Sequence, residues 1–248
     1  MNFLKRLYNV GKPKVTFSST VEGLEKISPI LPANKVLPQW FKDIKESGVT
    51  EGNNKIPLYS NFKSCPGFID FAMQGYVVPL WCDVHLNVNL VKGIQWRTPC
   101  KEFTFEFHGD DQYKNYLPEH AKRNTIGVLK PWCPWRLFTP KGYSVYQLPM
   151  TYEFNEIFEV MSGTIHTDMY HEINQQMVLK KEGEFLIPKG TPLAVYIPYK
   201  RQKYDFECIT QTEELRKRTH LTELSTATKF IKRFRNIKDI ISGDKWKT

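Results

Sequence analysis

The sequence predicts an all-β core carried between an irregular N-terminal arm and a C-terminal amphipathic helix. Three observations predict it. Aromatic residues make up 14% of the chain, and Phe, Tyr and Trp fit a pleated, half-buried strand surface better than an exposed helix. From about Phe62 to Phe206, short apolar or alternating runs are punctuated by Gly, Pro and Asn, as strands joined by tight turns are. Only after Thr212 do apolar residues recur at helical spacing. Three segments follow: an arm over 1–61, a β domain over 62–212 and a basic helix over 213–248.

In the arm, Pro29, Pro32 and Pro38 forbid a long helix before Gln39. LPQWFKDI predicts one short helix with Pro38 at its first turn and Trp40, Phe41 and Ile44 on its apolar side. The β domain contains GYVVPLWCDVHLNVNL, EFTFEFHG, YSVYQLPM, EIFEVMSGTI and EFLIPKGTPLAVYIPY. Strict alternation in EFTFEFH assigns Phe103, Phe105 and Phe107 to one strand face. WCPWRLF could stack bases beside Arg136, but the reading we favour packs Trp132 and Trp135 into the core as anchors. In the tail, Leu224, Ala227, Phe230, Ile231, Phe234, Ile237 and Ile241 form an apolar stripe, and Lys229, Lys232, Arg233, Arg235 and Lys238 fill most of the other face.

Bulk properties narrow the functional classes. With 248 residues, 41% of them hydrophobic, the chain can bury a sizeable core. No apolar run approaches the roughly 20 residues that span a bilayer, and MNFLKRLYNVGKPK has too short an apolar core for a signal peptide. The expectation is a cytoplasmic chain with no membrane partner. Five widely spaced cysteines lack any C-x-x-C pair, so reduced and mostly buried thiols are expected. The net charge of +9, much of it in the tail, favours anionic partners and leaves nucleic acid open as one.

The segment with the densest chemistry is GTIHTDMYHEI, Gly163 to Ile173. Read as one strand, it puts His166, Asp168, Tyr170 and Glu172 on one face and Ile165, Thr167, Met169 and His171 on the other. A solvated strand is the plain reading, ahead of a binding pocket around His166 and Asp168. A third reading pairs His166 and Asp168 with a distant His220 as a two-His-one-carboxylate iron centre of a 2-oxoglutarate oxygenase, with Arg233 for the cosubstrate. His220 lies in the charged tail rather than on a core strand, which counts against it.

Three of these segments, in order and spacing, resemble the dUTPase and dCTP-deaminase family of β-barrel (β-clip) nucleotide enzymes. PKGYSVYQLPM resembles the strand leading into the family's Pro-Arg-Ser-Gly turn. GTIHTDMYHEI resembles its G-V-I-D-x-D-Y-x-G-E-I segment, EFLIPKGTPLAVYIP its closing strand, and GYVVPLWCDV more weakly its first motif. The resemblance covers roughly Gly75 to Arg201 and implies a dUTPase-like barrel, a homo-oligomer such as a trimer, and a divergent, phage-encoded branch acting in the host cytoplasm or virion. It implies catalytic candidates at Asp168, His166 and Glu172 and ligand-binding candidates at Met150, Thr151 and Tyr170. The chemistry transfers poorly: Val77 stands for the first-motif Asp, Met150 and Thr151 for the phosphate-turn Arg-Ser, His166 for an Asp and Met169 for a Tyr. No Gly-rich arm follows the barrel. The expectation is therefore a non-catalytic assembly or binding protein, alone or with other viral chains, without a resident metal or cofactor, magnesium entering only with a bound nucleotide. The alternative is a nucleotide hydrolase with a rearranged site. GEFLIPKGTPLAVYI also resembles a cupin motif, but Leu193 stands near the place of its His.

Overall fold

The computed structural model describes residues 12–44 and 65–220. They fall into two compact units, one of 12–44 with 70–201 and one of 65–69 with 202–220. The first is predominantly β. Its strands are β1 (Thr16–Ser19), β2 (Leu31–Pro32), β3 (Tyr76–Pro79), β4 (Val84–Asn89), β5 (Gly93–Arg97), β6 (Phe105–His108) and β7 (Gly127–Pro131). They continue with β8 (Trp135–Phe138), β9 (Tyr143–Pro149), β10 (Phe158–Val160), β11 (Gly163–Ile165), β12 (Met177–Leu179), β13 (Gly183–Ile187) and β14 (Pro192–Lys200).

These strands form four antiparallel ladders, ordered β1-β8, β10-β12-β7-β6, β11-β9-β14-β3-β2 and β13-β4-β5. Among the described residues no ladder closes into a barrel, so the sheets are β-rich layers with free edges rather than the closed cylinder expected. Alternation works as it should within them. Val84, Leu86 and Val88 of β4 turn inward while His85 faces out. Leu129, Leu137, Val145, Leu179 and Tyr196 share one core with Trp135 and Leu24. Trp132 packs edge-on against Trp81, with ring centroids 5.6 Å apart, so WCPWRLF supplies core anchors. In EFTFEFH, Phe103 and Phe105 are buried, but Phe107 lies on the outer strand of its ladder and is exposed.

The arm is woven into this core rather than laid over it. β1 pairs with β8, β2 pairs with β3, and Leu24, Ala33 and Phe41 are buried. The expected short helix is Gln39–Asp43, entered from Pro38, with the Trp40 Nε1–H donating to the Tyr152 carbonyl at 2.7 Å. In the second unit, residues 213–220 are helical and exposed. The apolar stripe from Leu224 to Ile241 lies outside the described residues. No helix of the described residues is long and apolar enough to cross a membrane.

Candidate functional site

The segment from Gly163 to Ile173 is not one strand. β11 ends at Ile165, and the His166 carbonyl then accepts from the backbone N–H of Met169 and of Tyr170, both at 2.9 Å, closing a turn. The even-numbered polar face is thereby broken. Thr167 is buried, His166 and Glu172 are exposed, and Met169 points to solvent. Glu172 is carried away to an isolated bridge with Arg136, whose guanidinium lies 3.4 Å from its carboxylate, while the Tyr170 hydroxyl donates to Glu172 at 3.1 Å.

What stops the strand is Arg201, immediately after β14. Its guanidinium donates to both oxygens of Asp168, at 2.8 and 2.5 Å, and the Gly142 N–H donates to one of them at 2.8 Å. The Asp168 side chain keeps only 5% of its exposure. Arg201, then the Gly142 N–H, hold its carboxyl far below the usual range. The same guanidinium donates to the Tyr143 carbonyl at 2.9 Å and to Ser144 Oγ at 2.7 Å. Ser144, fully buried, lies 2.8 Å from His166 Nδ1, and Arg201 Nη1 is 3.3 Å from the same nitrogen. Arg201 Nη1 shares its two hydrogens among the Asp168 carboxylate, the Tyr143 carbonyl and Ser144 Oγ, with His166 Nδ1 at the edge of its reach.

Two of the three catalytic candidates, His166 and Asp168, thus meet in one network, and Glu172 stands outside it. Each is already engaged by the protein. Both Asp168 oxygens accept from Arg201 and its carboxyl is held acidic, and Ser144 is buried. Among the described residues no three His, Cys, Asp or Glu side chains converge as metal ligands. His220 belongs to the second unit, and Arg233 lies outside the described residues.

Met150, a ligand-binding candidate, lines a different feature. A cleft of about 630 Å³ runs between Met150, Phe154, Glu159, Lys180 and Leu193, and none of His166, Asp168, Tyr170 or Glu172 lines it. Thr151 starts the short helical turn Thr151–Glu153 beside it. At the end of that turn Phe154 adopts φ 50° and ψ 40°, a left-handed conformation unusual for a bulky residue. Its exposed ring is held 5.5 Å from that of Trp40. Burial raises the neighbouring Glu153 carboxyl, partly offset by Lys42.

Arg201, the organiser of the network, escaped the reading of the sequence. The available signal was period-two continuation, since Arg201, one residue past β14, extends the face of Ile197 and Tyr199. Compared with known proteins, the chain matches no family model and no curated protein.

Proposed function

We propose that this chain is a non-catalytic protein of dUTPase-like fold with a binding or assembly role, a homo-oligomer or a component docking on other viral chains of a phage. The observation that carries the reading is the Arg201 clamp on Asp168. The place of the family's water-activating Asp is taken by His166, and Asp168, which keeps the family's residue type, is bound at both oxygens and held acidic. The fold part of the proposal draws support from topology. Of the strands in the segments that resemble the family, β9, β11, β14 and β3 are neighbours in one five-stranded sheet, while β13 pairs with β4 in another. The separate Met150 cleft leaves room for a bound ligand away from the spent polar network.

The rival reading, a nucleotide hydrolase with a rearranged site, needs Asp168 or Glu172 free to take a proton. The test is turnover of dUTP with magnesium by the full chain. Hydrolysis is expected at background level, and turnover that disappears in Asp168→Ala would replace this proposal with the hydrolase.

A further inference from the structure

We propose that the outer face of the five-stranded sheet, centred on Tyr146 and Tyr199, binds single-stranded nucleic acid by stacking a base. The register of the sheet builds the face. Tyr146 of β9 lies opposite Ile197 of β14 and Thr164 of β11, and Ser144 lies opposite Tyr199. Alternation then puts Tyr146, Tyr199 and Thr164 on the side of Ser144, where His166 and Arg201 are bonded to the Ser144 hydroxyl. The two tyrosine rings are parallel within 10° with centroids 4.1 Å apart, and Tyr146 keeps 43% of its exposure. A ring fixed on central strands stacks a base at little entropic cost, and every unpaired base offers a π-face. Base pairs in a duplex are stacked on one another and withhold theirs.

The charges around the platform suit a phosphate backbone. Lys141, in the turn before β9, is exposed at the end of the sheet where Arg201 sits, and Lys200, the last residue of β14, is exposed there too but by alternation on the opposite side. Neither makes an ion pair among the described residues. The acid of the network, Asp168, is already neutralised by Arg201. His166 is exposed and bonded to Ser144 through Nδ1, which leaves Nε2 as a further polar atom of this face. The inference deepens the non-catalytic reading, on which it rests only in that the nucleic acid is held and not cleaved.

The experiment is fluorescence anisotropy of the full chain with labelled oligo-dT of about 16 nucleotides, against the same sequence as a duplex. Tyr146→Ala weakens oligo-dT binding by roughly ten-fold and Tyr146→Phe binds like the parent. Lys141→Ala flattens the salt dependence by roughly 0.7, and Lys200→Ala, on the other side of the sheet, leaves it unchanged. A melting curve accompanies each variant, and Tyr146→Thr, a good strand former, replaces the Ala variant if that one unfolds. Absence of binding at low salt, equal affinity for the duplex, or full affinity in the Tyr146 variants overturns the proposal; the last result would hand the binding to the basic tail. Cleavage of the probe, read on a gel from the same samples, would instead sink the non-catalytic reading while leaving the platform standing.

Discussion

Asp168 shows how a single ion pair writes pH dependence into this protein. Its folded value is depressed below the ordinary carboxylate range, first by Arg201 and then by the Gly142 N–H. The stability it contributes is therefore fully present above the unfolded value of about 3.9 and is lost as pH falls through the depressed folded value. Asp168→Asn is expected to lower the urea midpoint most at neutral pH, with the gap to the parent closing below about pH 4. A gap independent of pH would show that the charge of Asp168 is not what holds Arg201. The cysteines make a second test at this scale. Burial pushes the thiols of Cys82 and Cys133 up to about 12, whereas Cys65 and Cys208 are exposed. A thiol reagent at pH 8 should label Cys65 and Cys208 in the native protein and reach Cys82 and Cys133 only after unfolding. Peptide mapping that finds Cys133 labelled as fast as Cys208 would contradict its burial.

Among the elements, those with a clear period were legible and those closed by distant partners were not. Val84, Leu86 and Val88 alternate because one side of β4 meets the core and the other meets water, so the sequence carries the pattern itself. The turn after Ile165 leaves no such mark. Its cause is a guanidinium from the far end of β14, and polar alternation from His166 to Glu172 reads the same for a strand as for a turn. The inclusion of the arm was equally hidden, because β1 is four residues long and finds its partner in β8. Gly75 was legible only as punctuation, yet it carries a strict requirement. It has φ 81°, and a Cβ there would sit 2.4 Å from the Tyr196 carbonyl oxygen. Gly75→Ala must both strain the backbone and part β3 from β14, at a cost on the order of 3 kcal/mol. A urea melt displaced by less than a fifth of that would mean the sheet yields more easily than its register suggests.

At the scale of the whole molecule, the sequence pattern from Leu224 to Ile241 predicts an apolar helical stripe broad enough to call for a partner surface. If the chain is the oligomer proposed above, deleting the residues after Thr222 is expected to reduce its mass by light scattering while the melting temperature holds. Unchanged mass with a large fall in melting temperature would assign the stripe to its own chain. The pairing of β1 with β8 has a further consequence, one of time rather than of energy. The ribosome delivers Thr16–Ser19 more than a hundred residues before Trp135–Phe138, so an early strand must wait for a late one. During that interval the nascent arm offers bare apolar side chains and unpaired backbone to whatever passes. The protein's exposure to chaperones and to misassembly is thus set by the order in which its residues are made.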